Sequence, residues 1–370
     1  MSGDGERLYS IDALRGFDMF FIIGGASLIS ALCAAFGWQD GWLAGQMKHV
    51  EWAGLAHHDT IFPLFLFLAG VSWPFSLASQ ISKGRSTWQI RLRVLKRTAI
   101  LFFIGLSFGG ILKFKPDFRL MSVLGFIALS WGFAALLFMQ TKNWVVRVLL
   151  PSVLLVGYWV FLSSCSAANA PVGADTYSLE WNIVTYLDRM FYPNHLLPGK
   201  GYEPESLFSV TNGVALAFIG MCMGALLKLE NFTKAKKAAL LAFSAIALLI
   251  VGALFHLALG DQVVKKLWTT SFVLYASAYS AAMLALFYWI VDVLGFRAWT
   301  YPLRTVGMNS ITVYLLMMLG IQGMLSRFLF AGLSESVGAL WSKVVIAAGY
   351  LFVAWLFVRF LHKHKIFLRV

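Results

Sequence analysis

About ten runs of apolar residues along the chain are each long enough to cross the hydrocarbon core of a membrane. A spanning segment of about 20 residues has to be helical, because lipid offers no water to bond unpaired backbone groups. The sequence therefore predicts an all-α polytopic membrane protein, a bundle of about ten transmembrane helices. The runs occupy residues 14–36, 60–82, 97–113, 120–139, 145–164, 207–227, 238–259, 268–291, 302–322 and 340–361.

The composition agrees with lipid as the solvent. Hydrophobic residues make up 59% of the 370 residues and charged residues 13%, whereas soluble domains have about 45–50% and about 25%. The net charge of +13 would indicate nucleic acid in a soluble protein, but an excess of Lys and Arg on the cytoplasmic side of membrane helices explains it here. We therefore expect a bilayer partner and no nucleic acid.

The distribution of basic residues predicts the orientation. Placing the N- and C-termini in the cytoplasm puts about two-thirds of the Lys and Arg residues on that side, as the positive-inside rule requires. Two extracytoplasmic loops, about 37–59 and 165–206, then remain. The second mixes aromatic residues with turn formers, which fits either a folded cap over a pocket or an interfacial belt of Trp and Tyr. Residues 1–370 are interpreted as one transmembrane domain.

A titratable cluster precedes the second apolar run. His49, Glu51, His57, His58 and Asp59 lie within eleven positions and include three of the seven histidines. An imidazole can accept and return a proton near neutral pH, and a neighbouring carboxylate would orient its ring. The alternatives are a hydrated surface loop and a zinc site. We expect no metal, because two adjacent histidines cannot easily point the same way.

Further polar residues interrupt the apolar runs. Asp12 and Arg15 lie three positions apart on one face of the first helix, where they either anchor the helix at the interface or serve function. A basic segment containing Arg91, Arg93 and Arg97 leads into the third run; it fits phosphate binding as well as a stop-transfer cluster. Asn309 and its neighbours form a small polar break that could line a cavity.

Several short motifs lie in order along the chain. They are Ser10-Ile11-Asp12-Ala13-Leu14-Arg15-Gly16; His49 with Trp52, Gly54 and Leu55; Asp59 leading into Phe62-Pro63-Leu64-Phe65-Leu66-Phe67 and Gly70; Arg119-Leu120 with Val123-Leu124; Pro204-Glu205; Leu267-Trp268 with Ser271-Phe272; and Pro302 with Gly307-Met308-Asn309-Ser310-Ile311. Taken together and in order, they resemble the family of heparan-alpha-glucosaminide N-acetyltransferase and its bacterial relatives, within the transmembrane acyltransferase superfamily. The resemblance covers nearly the whole sequence.

The resemblance implies transfer of the acetyl group of cytosolic acetyl-CoA to the amino group of glucosamine or a related amino sugar on the extracytoplasmic side. The family's active-site histidine falls on His49; an acetyl-histidine intermediate and direct transfer with His49 as base both remain open. His49 and Asp59 are expected to be catalytic. The expected acceptor-binding residues are Glu51, Trp52, Glu205, Trp268, Ser271 and Asn309. The expected residues for acetyl-CoA are Asp12, Arg15, Arg91, Arg93 and Arg97.

Two other functions fit the same sequence. A sugar transporter would have a similar helix number and polar cavity, although the paired broken helices typical of transporters are not evident. An O-acetyltransferase of a cell-envelope glycan would use the same chemistry on a hydroxyl group. The expected location is the bacterial inner membrane, and the sequence leaves open whether the chain forms a homodimer.

Overall fold

A computed structural model describes residues 8–114, 116–364 and 366. These residues are mainly helical, and the two β-bridges among them are isolated ones. Four basic residues that enter the orientation argument, Arg7, Lys115, Lys365 and Arg369, lie outside the described residues. The helices are α1 Tyr9–Phe20, α2 Ala26–Ala35, α3 Trp42–Gln46, α4 His57–Ser82, α5 Thr87–Gly109, α6 Val123–Gln140, α7 Trp144–Ser164, α8 Ile183–Phe191, α9 Val210–Leu227, α10 Lys234–Ala253, α11 Thr270–Tyr288, α12 Tyr301–Gly307, α13 Ser310–Met318, α14 Ile321–Ser336 and α15 Ala339–Lys363.

The all-α membrane fold predicted from the apolar runs is confirmed. In the described part of the chain, 8 helical segments are long and apolar enough to cross a membrane, and α13 with α14 gives a ninth if the bent pair is one span. The predicted run 97–113 forms most of α5, which begins ten residues earlier at Thr87. Its first half carries four basic residues, so α5 is less apolar than the other long helices.

The prediction of a single transmembrane helix over 302–322 is wrong. The chain forms α12, a two-residue break, α13 and then a bend of 73° into α14. Gly320 makes the bend, since its φ of 72° lies in the left-handed region that favours glycine. The helix after the bend, α14, was absent from the sequence prediction because polar residues interrupt its apolar pattern.

The centre of the bundle is a close crossing of α4 and α9. A Cβ atom added at Gly70 would collide with the backbone of Ala217, and one added at Gly220 would collide with the backbone of Phe67. Small residues let the two backbones approach, which is how helices gain packing energy where lipid removes the hydrophobic drive. This crossing fixes α4, the helix that carries the histidine cluster at its start.

Two segments fold over the end of the bundle at which α4 begins. Gly54 donates a backbone hydrogen bond to Val263 (2.8 Å), and Ala53 pairs with Val264 in an isolated bridge. The indole of Trp52 donates to the carbonyl oxygen of Tyr177 (2.9 Å). The loop before α4 is therefore tied both to the loop before α11 and to the segment between α7 and α9.

Candidate active site

Asp59 organises the start of α4. It is the third residue of the helix, and its Oδ2 accepts hydrogen bonds from the backbone N–H groups of Ala56 (3.2 Å) and Val50 (3.3 Å). A carboxylate in the first helical turn is favoured, because unpaired N–H groups point at it. These bonds hold the side chain, 1% exposed, in one position and leave Oδ1 for other partners.

His49 is one of the partners of Oδ1. Its Nδ1 lies 2.7 Å from Oδ1 of Asp59, and its side chain is 54% exposed. A carboxylate can only accept, so the shorter contact, with Asp59, favours the tautomer of the neutral ring in which Nδ1 carries the proton. In that tautomer the other nitrogen, Nε2, keeps a lone pair. His49 and Asp59 therefore have the arrangement of an oriented general base.

Lys265 is the second partner of Oδ1. Its Nζ donates to Asp59 over 3.2 Å and lies 3.0 Å from Nδ1 of His49. Burial lowers the pKa of Lys265, while the charge of Asp59 acts in the opposite direction. The loop before α11 places this side chain: Trp268 has φ 51° and its ring stacks on Phe126 at 4.3 Å, which pins the turn that follows Lys265.

A buried ion-pair network lies beside His49 and Asp59, here called the dyad. Arg119 donates to the carboxylates of both Glu203 and Glu205, the second over 2.5 Å. Burial raises the pKa of Glu205, and the charge of Arg119 opposes that rise. The same two carboxylates raise the pKa of Arg119. Arg119 thus holds Glu205 in place at the edge of the cavity described next.

One cavity of about 560 Å³ connects the dyad with the opposite end of the bundle. His49, His58, Glu205 and Lys265 line one end, here called the histidine end. His58 and Ser76 both line it and lie eighteen positions apart on α4, so it extends along about 27 Å of helix at 1.5 Å per residue. That is close to the thickness of a bilayer core, about 30 Å.

Two arginines line the other end, called the arginine end. Arg15 donates to Oγ of Ser72 over 2.7 Å and lies 3.6 Å from Asp12. Arg97 lies 4.3 Å from the ring centroid of Trp131, and its buried Nε has no hydrogen-bond partner among the described residues. Both guanidinium groups can bind an anion, and Arg97 has an unused donor.

Several residues expected to bind the acceptor lie away from the cavity. Trp268 is 1% exposed and packs among aromatic rings, so it cannot stack on a sugar. Ser271 is fully buried, its N–H donating to Asp261 (2.6 Å) and its hydroxyl to Gln262 (3.1 Å). Asn309 is 3% exposed and borders the cavity residues without lining it.

Glu51 and Trp52 lie at the surface near the histidine end. The backbone carbonyl of Glu51 accepts from Lys266, and the Glu51 side chain is exposed. Trp52 forms an edge-to-face pair with Tyr202 at 6.2 Å, and Nζ of Lys266 lies 5.5 Å from each ring. These residues form a rim outside the cavity.

Only some of the residues expected to bind acetyl-CoA line the cavity. Arg15 and Arg97 line the cavity, whereas Asp12 reaches it only through its pairing with Arg15. Arg93 lines a separate surface groove with Arg85, Gln89, Leu92 and Lys96, and Arg91 lines neither. Positions 93 and 97 are one turn apart, so the groove and the arginine end are neighbours along α5.

Sequence reasoning missed Lys265 and the role of Arg119. The sequence did contain a signal for Lys265: it is a basic residue on the side of the membrane that is predicted to be poor in basic residues, two positions before the motif residues Leu267 and Trp268. Arg119 was quoted as a motif residue, but its pairing with Glu203 and Glu205, about 85 positions away, depends on the tertiary fold.

The adjacent residues His57 and His58 point their side chains in different directions, as predicted from the sequence. His58 faces the cavity, its ring 4.4 Å from that of His49, while Nδ1 of His57 lies 3.1 Å from the hydroxyl of Tyr279 on α11. Among the described residues, no three His, Cys, Asp or Glu side chains are grouped so that they could hold a metal ion. His58 therefore joins His49 at the histidine end of the cavity, while His57 packs against α11.

Comparison with known proteins points to one family. No protein-family model matches the sequence. The chain is 26% identical to heparan-alpha-glucosaminide N-acetyltransferase of Homo sapiens over 368 residues, 83% of this chain and 52% of that protein. It is 24% identical to the protein of the same name from Mus musculus over 363 residues, 83% of this chain and 54% of that protein. The chain spans about half the length of these relatives. It is a distant relative of the heparan-alpha-glucosaminide N-acetyltransferases.

Proposed function

We propose that this protein is a transmembrane acetyltransferase that moves the acetyl group of acetyl-CoA to the amino group of glucosamine or a related amino sugar. The supporting observation is the single cavity with a histidine–aspartate pair at one end and two arginines at the other. Such a cavity lets a thioester reach His49 while its charged nucleotide, too polar for hydrocarbon, stays outside the bilayer. The names of both relatives support N-acetylation.

His49 acts as the base. Its Nε2 accepts a proton from the sugar amine as the nitrogen attacks the thioester carbonyl; a C–N bond forms, the C–S bond breaks, and the thiolate leaves and is protonated. Asp59 keeps Nδ1 protonated and stabilises the imidazolium that forms. A route through acetyl-His49 would use the same nitrogen, and acetylation of His49 in the absence of acceptor would distinguish the two.

The histidine end binds the acceptor. Glu205 is the predicted acceptor-binding residue that lines the cavity, and a buried carboxylate is suited to an amino group. Trp52 and Glu51 stand at the rim, where Trp52 can contact the sugar ring as it enters. We assign Trp268 and Ser271 to the support of this end and not to acceptor contact, because both are buried outside the cavity. Asn309 is also buried outside the cavity, and it follows Gly307, which packs against Asp12 and Gly16 near the arginine end, so we do not assign it to the acceptor.

The arginine end binds the phosphates of CoA. Arg15 and Arg97 line it, and the unpartnered Nε of Arg97 is a donor that a phosphate or amide oxygen would satisfy. Asp12 positions Arg15, while Arg93 lines the neighbouring surface groove and Arg91 lies on the same helix. We infer that this end and both termini face the cytoplasm, where acetyl-CoA is made, and that the protein resides in a bacterial inner membrane.

Replacing His49 tests the assignment. We expect His49→Ala to reduce acetylation of glucosamine to background while the purified protein still binds CoA. The control is His364→Ala, because His364 lies after α15, far along the chain, and packs on Phe360 (4.5 Å). Retained turnover in His49→Ala would reject the role of His49.

An acceptor comparison separates the proposed reaction from its alternatives. Glucosamine should be acetylated and glucose should not, because Glu205 and His49 are placed to bind and deprotonate an amine. Acetylation of hydroxyl-only sugars would instead indicate an O-acetyltransferase. Uptake of unmodified sugar into vesicles without acetylation would indicate a transporter.

A further inference from the structure

Lys265 is an amine held in the place where the proposed reaction acetylates amines. Its Nζ lies 3.0 Å from His49 and 3.2 Å from Asp59, and the side chain lines the same cavity as His49 and Glu205. No other lysine lines this cavity among the described residues. A donor that brings an acetyl group to His49 therefore brings it next to a second nucleophile.

We propose that Lys265 is a site of self-acetylation, modified when acetyl-CoA occupies the cavity and no acceptor sugar is present. The inference rests on the proposed function, since the acetyl group must come from the same bound donor. Proximity makes the step effectively unimolecular, which compensates for the ion pair with Asp59 that favours the unreactive ammonium form of Lys265.

The step balances without an added reactant. The Lys265 ammonium gives one proton to the adjacent base, and its neutral nitrogen attacks the thioester carbonyl; a C–N bond forms, the nitrogen loses a second proton, and the C–S bond breaks. The thiolate leaves as CoA and takes up a proton, so the net release is one proton for each acetyl-lysine formed. The product is an amide, which is stable, so the modification persists.

The ion pair with Asp59 is what restrains this reaction. A lysine attacks only as the neutral amine, and the carboxylate stabilises the ammonium form. Burial favours the neutral amine, because it lowers the pKa of Lys265. The opposing effects predict a slow modification that a bound acceptor prevents by occupying the space between Lys265 and the acetyl group.

Acetylation of Lys265 should inactivate the enzyme. The acetyl-lysine is neutral and cannot pair with Asp59, which is 1% exposed and would keep only His49 as a charged or polar side-chain partner. The acetyl group also fills part of the histidine end. An enzyme that binds acetyl-CoA in the absence of acceptor sugar would thus inactivate itself, and it would no longer expose bound thioester to water.

The test is mass spectrometry of the purified full chain after incubation with acetyl-CoA alone. We expect an added acetyl group on Lys265 that grows with time, is absent from His49→Ala, and is suppressed at least tenfold by glucosamine. Lys266 is the internal control: its Nζ bonds the carbonyl of Glu51 and lies over Trp52, outside the cavity. Activity should decay in parallel, while Lys265→Arg should keep its own initial rate through the same incubation.

The outcomes are separable. If the protein acetylates glucosamine but Lys265 stays unmodified after incubation with acetyl-CoA alone, the inference is overturned and the proposed function is left intact. Equal acetylation of Lys265 and Lys266, or acetylation of Lys265 that persists in His49→Ala, would also overturn it. In either case the modification would be a non-enzymatic reaction with acetyl-CoA. Loss of both sugar turnover and Lys265 acetylation in the wild-type protein would reject the proposed function together with the inference.

Discussion

The carboxylate of Asp59 has two structural roles at the start of α4. Asp59 uses one oxygen to satisfy backbone N–H groups and the other to bind His49 and Lys265. The local structure therefore fixes the chemistry: the helix cannot begin in this way without orienting the imidazole. This explains how a histidine whose side chain is 54% exposed can still have a defined position.

Glu205 should control acceptor affinity. In Glu205→Gln we expect KM for glucosamine to rise about tenfold or more, because one charge-assisted hydrogen bond contributes about 1.5–3 kcal/mol. CoA affinity, measured by calorimetry, should not change, since the arginine end is at the far side of the cavity. Glu180→Gln, an exposed change in the same segment, is the control. An unchanged KM would remove Glu205 from the acceptor site.

Asp188 should make stability depend on pH. Burial raises its pKa from the usual 3.8 to about 7, although Tyr192 and Ser206 donate to it. A carboxyl with a raised folded-state pKa stabilises the fold fully below pH 4, and that contribution is lost as pH rises through about 7. The loss is at most about 4 kcal/mol. The unfolding temperature in detergent should therefore fall less between pH 4 and 7 for Asp188→Asn than for the wild-type protein. Equal dependence of the unfolding temperature on pH in the two proteins would contradict this.

At the scale of elements, close helix crossings position the site. The glycines of α4 and α9 bring those helices together and so set where His58 and Asp59 emerge from the membrane region. The positions of these helices were readable from the apolar runs, since length and hydropathy alone define a span. Their partners were not, because every long run is apolar on most of its surface.

Enlarging a crossing glycine should destabilise the bundle. In Gly220→Leu, the new side chain would meet the backbone of Phe67, so we expect loss of several kcal/mol and poor recovery of folded protein. Gly157→Leu is the matched control, because a Cβ there has no neighbour within 4 Å. Thermal unfolding in the same detergent compares them. Equal stability of the two variants would show that the α4–α9 approach is not tight.

The broken region α12–α14 shows where prediction from a single sequence fails. Apolar content across 302–322 indicated one helix, but Gly320 and the break after Gly307 divide it. Met308, Ser310 and Ile311 line the cavity as a result. The polar break at Gly307-Met308-Asn309-Ser310 was recognised in the sequence as a feature that could line a cavity, whereas the turn angle depends on contacts between distant helices.

At the scale of the whole molecule, the proposed function depends on continuity between the two ends of the cavity. The sequence predicted His49, Arg15 and Arg97 as site residues, and these three line the cavity; each lies in a short motif or a basic segment that is visible without the fold. It could not identify Lys265 or the Arg119 network, since these contacts form only when residues 84 and 216 positions apart come together at one end of the bundle.

Blocking the cavity midway should separate binding from transfer. Ala69 lines it between the two ends, on α4. In Ala69→Trp we expect acetyl transfer to fall at least 100-fold while binding of CoA phosphates at the arginine end persists, because the added ring occupies the connecting space. Val153→Phe, on an exposed face of α7, is the control for added bulk. Wild-type transfer by Ala69→Trp would mean that the cavity is not the route.

The most direct measurement is the sidedness of transfer in sealed proteoliposomes. Labelled acetyl-CoA is supplied on one side only, glucosamine is sealed on the other, and the label is followed on both. For molecules whose arginine end faces the donor, the account predicts labelled N-acetylglucosamine in the opposite compartment, no passage of CoA, and no product with His49→Ala. Product confined to the donor compartment, or unmodified glucosamine crossing the membrane, would contradict it.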